Sequence, residues 1–275
     1  MNKHDYNLKS FYDEDAISYY LLGAFMTDGC VHKSKNRPNR KSITLTSKDM
    51  DWLEAINQHI SPNKPLLKHG ERCFRLMYNS TKLADWLISK GCDERKSLTL
   101  QFPNVPPKYL PDFIRGCWDG DGSISFTMSG NGGTTYQRQA NLTSGSIAFC
   151  QAMTDALNNN GVRCNVKPHK VPERQIDGRT LKASVSWRVV LTSGKSTYDL
   201  VKLIYYPTCP LAMPRKMNIA QRIIDDWEQG NKCIVCNAIL PTRNAKKQYC
   251  QECFRLHMNE RNRKAYALKK LVPQQ

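Results

Sequence analysis

Hydrophobic residues along this chain follow two different spacings, and the alternation between them predicts its elements. Two segments, Ala16–Gly29 (AISYYLLGAFMTDG) and Tyr109–Gly122 (YLPDFIRGCWDGDG), are apolar on nearly every side apart from Arg115, the pattern of helices buried all round. After the first, Ile43 and Leu45 alternate with polar residues in Lys41–Ser47, which predicts a half-buried strand. Asp49–Ile60 repeats its apolar positions at helical spacing, with Ser47 or Asp49 as cap and Pro62 as stop. Two strands around KPLLKHGERCFRLMY, turning at His69–Gly70, and a helix TKLADWLISKG ended by Gly91 complete this stretch. The same kinds of element follow Gly122: SISFTM, the turn SGNGG, YQRQANLTS, a helix over Ser146–Gly161, strands near RCNVKPHKV and LKASVSWRVVLTS, and a helix STYDLVKLIYY. The order αββαββα therefore occurs twice. It predicts an α+β fold of two pseudo-symmetric halves, residues 1–94 and 109–229, joined by a linker over 95–108 that contains Pro103, Pro106 and Pro107. Residues 230–275 remain as a separate C-terminal segment.

The repeat extends to single residues. Gly23 and Gly116 lie 93 positions apart, as do Asp28 and Asp121, and Gly29 and Gly122. Glycine inside a helix costs about 1 kcal/mol against alanine, so Gly23 and Gly116 need a compensating reason. Close approach of two helix backbones supplies one, and it would bring Asp28 and Asp121 together at the helices' C-terminal ends. Two carboxylates there face the negative end of a helix dipole and each other. Divalent cations relieve both penalties, and Mg²⁺ favours carboxylate, water and phosphate oxygens. Such a pair suits in-line hydrolysis of a phosphodiester. Asp119 has Met26 as its counterpart and reads as a local structural residue.

Charge narrows the partner. The chain holds 41 Lys and Arg against 24 Asp and Glu, a net +17, which predicts attraction to polyanions. No apolar run approaches the ~20 residues needed to span a bilayer, and the polar start MNKHDYNLKSFYDED has the character of neither a signal nor a transit peptide. The expectation is a bacterial or phage-encoded cytoplasmic protein, with nucleic acid as its polyanion and no membrane partner. Cys30, Cys73, Cys92, Cys117, Cys150, Cys164 and Cys209 are scattered and read as small hydrophobes. The remaining four form Cys233-x-x-Cys236 and Cys250-x-x-Cys253. Four thiolates in two such pairs can complete a tetrahedral Zn²⁺ site, and the ion would supply folding energy that so short a segment lacks. Ten Lys and Arg against two Glu between Asn231 and Gln275 make this zinc module basic, and its second cysteine pair opens an amphipathic helix.

LLGAFMTDG and IRGCWDGDG resemble the two signature motifs of the LAGLIDADG homing endonucleases, at a spacing like that of single-chain members. The resemblance covers roughly residues 14–228 and includes LTSKDMDWLEAI and GCDERKSLTLQFP. It implies a pseudo-two-fold helix interface and a curved antiparallel sheet in each half, the two sheets forming a saddle on the major groove of double-stranded DNA. It further implies a monomeric, intron-homing type of nuclease that cuts both strands across the minor groove, leaving short 3′ overhangs. Carried over by position, Asp28 and Asp121 bind two or three shared Mg²⁺ ions, to which the carbonyls of Thr27 and Gly120 add ligands. Thr27 stands where Ala or Gly is common in the family. Lys96 and Lys216, late in each half, correspond to basic residues that order water near the metals.

Recognition is expected from the sheet faces opposite the core. With Ile43 and Leu45 inward, Arg40, Ser42, Thr44 and Thr46 face DNA. With Ile124, Phe126 and Met128 inward, Ser123, Ser125, Thr127 and Ser129 do so. Gln137, Gln139 and Asn141, types suited to adenine edges, follow from inward Ala140 and Leu142. Ser186 and Arg188 follow from inward Val185, Trp187 and Val189. Lys33, Lys35 and Arg37 are expected at phosphates. Two other readings use the same fold: an intron RNA maturase, and a catalytically silent DNA-binding regulator. Retention of both acids favours the nuclease. An intein is disfavoured by the Met1-Asn2 start and the Val272-Pro273-Gln274-Gln275 end.

Overall fold

The computed structural model describes residues 6–37, 39–129, 135–176, 179–181, 183–229, 233, 235, 236, 238 and 250–271. The first half begins with a short helix α1 (Lys9–Tyr12), followed by α2 (Ala16–Thr27), the first motif helix. Asp15 caps α2 in a capping box, its carboxylate accepting from the Ser18 amide while the Ser18 hydroxyl accepts from the Asp15 amide. Strands β1 (Gly29–Lys33) and β2 (Lys41–Ser47), helix α3 (Met50–Ile60), strands β3 (Leu67–His69) and β4 (Cys73–Tyr78), and helix α4 (Thr81–Ser89) complete the half. The hairpin joining β3 to β4 turns at Gly70, whose φ of +68° suits glycine. Asp49 precedes α3 without capping it, its carboxylate being held by Arg215 through Nε at 2.8 Å and Nη2 at 2.9 Å.

The second half repeats the plan with α5 (Leu110–Asp121), β5 (Gly122–Ser129), β6 (Thr135–Ser144), α6 (Ile147–Asn159), β7 (Cys164–Val171), β10 (Ser184–Leu191) and α7 (Gly194–Ile204). It adds a hairpin of β8 (Arg174–Ile176) and β9 (Arg179–Leu181) between β7 and β10, and then a helix α8 (Pro214–Gln229). Neither addition has a counterpart in the αββαββα reading. The expected SGNGG turn lies, beyond its first residue, outside the described residues. Two four-stranded antiparallel sheets result, ordered β1-β2-β4-β3 and β5-β6-β10-β7. Each motif strand pair thus meets the same neighbour in the same place.

Residues 1–127 and 137–223 form one compact unit and residues 128–136 with 224–275 a second. At the centre of the first, α2 and α5 cross with their backbones in contact. A Cβ on Gly23 would overlap the Phe113 carbonyl oxygen and come within 2.7 Å of the Cys117 amide nitrogen. A Cβ on Gly116 would overlap the Tyr20 carbonyl oxygen and lie 2.9 Å from the Ala24 nitrogen. Phe113 and Cys117 stand 93 positions after Tyr20 and Ala24, so the interface is self-complementary, as a two-fold contact must be. Gly120 packs on Thr27, its own counterpart, where a Cβ would overlap the threonine hydroxyl. Tyr20, Leu21, Leu22, Phe25, Phe113, Ile114 and Trp118 fill the surrounding core and are fully buried.

Arg115 breaks the apolar pattern of α5 and is nevertheless fully buried. Its guanidinium donates to the carbonyls of Leu211 at 2.7 Å and Ile204 at 2.8 Å, and to Asp112 at 2.6 Å. Asp119 is likewise structural: it accepts from the Tyr20 hydroxyl (2.7 Å), the Tyr205 hydroxyl (2.5 Å) and the Met213 amide (2.8 Å). These bonds tie the second motif helix to the segment leading into α8. Every buried charge here is met by a partner, as burial demands.

Candidate active site and DNA-facing surface

The helix crossing delivers Asp28, which caps α2, and Asp121, the last residue of α5, to one place. Each carboxyl senses its crowded surroundings. Asp28, half-buried, is raised to about 6, first by burial and then by the charge of Asp121, against the opposing pull of Lys216 and Lys96. Asp121 is raised as well, by loss of hydration, with Lys96 and Lys216 opposing. As a residue it is open to solvent. Two acids that resist ionisation side by side form a site that a cation would relieve.

Both nominated lysines are buried and turned toward backbone. The Lys216 ammonium lies near four carbonyl oxygens at the end of α5: Trp118 (2.7 Å), Asp119 (2.6 Å), Gly120 (3.2 Å) and Gly122 (2.7 Å). Lys96 donates to the carbonyl of Gly29, the counterpart of Gly122. Lys216 therefore caps the end of α5, satisfying carbonyls the helix cannot and placing positive charge at its negative end, whereas Lys96 holds the first residue of β1, just past the end of α2. The Gly120 carbonyl, expected as a metal ligand, is one of those that Lys216 reaches. Thr27 donates its hydroxyl back to the carbonyls of Gly23 and Ala24. Lys216→Met keeps the length and removes the charge. It should cost about 2–4 kcal/mol of stability by stranding buried carbonyls. Denaturant unfolding indistinguishable from wild type would refute this capping role.

A cavity of about 130 Å³ at Asp121 is lined also by Thr27, Lys96, Thr143 and Ser186 among others. An open cleft of about 1140 Å³ in the first half gathers Lys33, Arg37, Arg40 and Ser42 with His32 and Lys41. Lys35 is exposed but does not line it. Lys33 is engaged by Asp93 at 2.7 Å. On the first sheet Ile43 and Leu45 are buried, which leaves Ser42, Thr44 and Thr46 on the opposite face. Thr44, however, is only 7% exposed. His32 covers it, with Nε2 3.0 Å from its hydroxyl, and His32 is the residue that faces outward there. Sequence reading missed His32 and also Arg75, although alternation around buried Leu76 and Tyr78 places Arg75 beside Thr46.

On the second sheet Ile124, Ala140, Leu142 and Val189 are buried. Thr127, Gln137 and Gln139 are exposed and Ser125, Asn141, Ser186 and Arg188 half-buried. Val185, expected inward, is 51% exposed because it lies near the outer end of β10, opposite Lys170. The orientation of Met128 and Ser129 lies outside what is described.

Within the second unit, Cys233, Cys236, Cys250 and Cys253 have their sulfur atoms all within 4.8 Å of one another. Zn–S bonds of about 2.3 Å give a tetrahedron with edges of about 3.8 Å, and Cys236 and Cys250 are 3.7 Å apart. Against the cost of burial, the amides of Cys236, Cys250 and Val235 lower Cys233 to about 6. The neighbouring thiols Cys250 and Cys236 push Cys253 well up. Four sulfurs this close cannot all be thiolates without a cation, so the donor set fits zinc. Helix α9 (Gln251–Leu271) starts within the second pair.

Comparison with known proteins bears on the first motif directly: residues 15–60 match the family model described as a LAGLIDADG-like domain. The chain resembles the LAGLIDADG homing endonucleases. Among solved structures, mesophilic variants of the homing endonuclease I-DmoI match at 18% identity over 72% of this chain and 95% of that chain, with a TM-score of 0.47. The LAGLIDADG homing endonuclease I-LtrWI bound to target DNA matches at 13% identity over 79% and 92%, TM-score 0.47. The LAGLIDADG meganuclease I-AabMI bound to uncleaved DNA matches at 13% over 75% and 88%, TM-score 0.46. No curated protein matches the chain. Among the described residues no helix is long and apolar enough to cross a membrane.

Proposed function

We propose that this protein is a site-specific, double-strand DNA endonuclease. One observation carries the reading: the two crossing motif helices end in a pair of carboxyls that both hold their protons more tightly than usual, the charge of Asp121 adding to burial at Asp28. Asp28 and Asp121 would hold Mg²⁺, which when bound supplies Lewis acidity at a phosphate oxygen and an acidified water. The remaining work falls to the chain. Lys96 and Lys216 hold the two helix ends in register and offset part of the acids' repulsion. The cleft residues Lys33, Arg37 and Arg40, with exposed Lys35, meet phosphates, while Ser42, Ser125, Thr127, Gln137, Gln139, Asn141, Ser186 and Arg188 present polar groups to base edges. A net charge of +17 suits the polyanion.

The test is scission of a plasmid library carrying long randomised inserts, incubated with the full chain and Mg²⁺ or Ca²⁺. Linear product from a subset of inserts with Mg²⁺ alone is expected. Absence of linear product across a library deep enough to cover the site would overturn the nuclease reading.

The C-terminal cysteines would hold one structural Zn²⁺ and extend the basic surface toward DNA. Purified protein should carry one equivalent of zinc. Cys250→Ser should lose it and weaken DNA binding about tenfold, the order of a few lost phosphate contacts. Zinc retained at one equivalent in that variant would count against the ligand set.

A further inference from the structure

One side-chain arrangement occurs twice, atom for atom, on the outer faces of the two sheets. In the first, Arg75 on β4 donates Nε to the Thr46 hydroxyl on β2 (3.4 Å), and its Nη2 lies 2.6 Å from Nε2 of His69 on β3. In the second, Arg188 on β10 donates Nε to the Thr143 hydroxyl on β6 (3.3 Å), and its Nη2 lies 2.9 Å from Nε2 of His169 on β7. The registers agree as well. Thr46 pairs with Arg75 and Thr143 with Arg188. His69 pairs with Cys73, two residues before Arg75, and His169 with Ser186, two before Arg188. The sequence offsets differ: 97 for the threonines, 100 for the histidines and 113 for the arginines. No shift of the sequence against itself reveals the match, because the β7–β10 connection of the second half carries the extra hairpin.

Chemistry fixes the direction of these bonds. An arginine is always protonated and can only donate, so each histidine accepts at Nε2 and carries its proton on Nδ1. This tautomer follows from the partner. Threonine and histidine together occupy the Nε–Nη2 side of the guanidinium. The terminal edge, with Nη1 and the second Nη2 hydrogen, is left to point along the side chain. That edge has the spacing that matches guanine O6 and N7 in the major groove. Holding a flexible side chain in one pose before binding removes an entropy cost that binding would otherwise meet.

We infer that Arg75 and Arg188 each read one guanine, at mirror-related positions in the two halves of the target, and that His69, Thr46, His169 and Thr143 position them. This rests on the proposed DNA-binding function and goes beyond it by specifying target bases. The surroundings of the two sites are not repeated. Opposite Arg75 stands Leu67, 46% exposed, and opposite Arg188 stands Lys167. The target should therefore share the guanine pair but differ in its flanks, where Leu67 suits a thymine methyl.

The test is selection of bound duplexes from a randomised library by the full chain in Ca²⁺, with folding of each variant checked by circular dichroism. Wild type should select a G on opposite strands at two positions equidistant from the site's centre. Arg75→Gln should abolish the preference at one, and Arg188→Gln at the other, each with a loss of about 5- to 150-fold on the selected site. His69→Ala and His169→Ala should weaken the preference at the same position as their arginine and nowhere else, an effect that general destabilisation would not produce. If the arginine variants lose affinity for all sequences equally, these are phosphate contacts and the inference fails while DNA binding stands. Should wild type select no sequence at all, both the inference and the endonuclease reading fall.

Discussion

Asp28→Asn and Asp121→Asn should each reduce Mg²⁺-dependent DNA cleavage by about 10³-fold or more, equivalent to about 4 kcal/mol of transition-state stabilisation. Affinity for the same duplex in Ca²⁺ should change little. Asparagine keeps the shape of the carboxyl and removes the charge that holds a cation. A second readout moves the opposite way. The Asp28 carboxyl is raised to about 6 in the folded chain, above its ordinary value of 3.8 in the unfolded one. Between those values the folded state binds more protons than the unfolded state, so this group's contribution to stability falls as pH rises through that window and is flat above it. Metal-free Asp28→Asn should therefore be more stable than wild type at pH 7, with the gain vanishing near pH 4. Loss of cleavage with a rise in melting temperature is the signature of a carboxylate kept for chemistry at a cost to the fold. Wild-type cleavage by both variants would remove the acids from the mechanism.

Gly23→Ala or Gly116→Ala should destabilise the protein by about 3 kcal/mol, at or above the upper end of ordinary overpacking, and lower its melting temperature by about 6–12 °C. The sign makes this informative. In an isolated helix the same change would stabilise by about 1 kcal/mol. Here the new methyl group would meet backbone atoms of the opposite helix, the Phe113 carbonyl in one case and the Tyr20 carbonyl in the other. Backbone cannot rotate aside as a side chain would. The only relief is to part the helices, which would also separate Asp28 from Asp121, so cleavage should fall with stability. An unchanged or raised melting temperature in either variant would mean that the two helices do not touch as described.

The elements that sequence reading located well are those whose own residues dictate them. Alternation in Lys41–Ser47 and the capped, glycine-stopped helix over Ser146–Gly161 depend on neighbours a few positions apart, and the matched glycines of the two motifs on one constant offset of 93. The errors arose where distant residues compete for a side chain. Asp49, one of the two residues read as the cap of α3, makes no capping bond and is claimed by Arg215, 166 residues away. Thr44 lies on the expected face yet under His32. The expectation for Lys216 did not include its grip on the carbonyls that end α5, 94 to 98 residues away. The arginine pair was invisible because the three offsets that relate its members are unequal.

The chain's own order of residues thus determines two α+β halves, the pairing of Asp28 with Asp121, and a four-cysteine donor set, since each follows from short-range spacing or from one constant repeat. Only the tertiary structure decided that Lys216 is bound by the carbonyls that end α5, that Lys96 binds the first residue of β1, and that Arg75 and Arg188 are held in the same pose on two sheets. The physical reason is common to all three. A local pattern says which face of an element is apolar, whereas the partner of a polar atom is set by whatever the folded chain brings within about 3 Å of it, and those atoms belong to residues on other elements, up to 98 positions away.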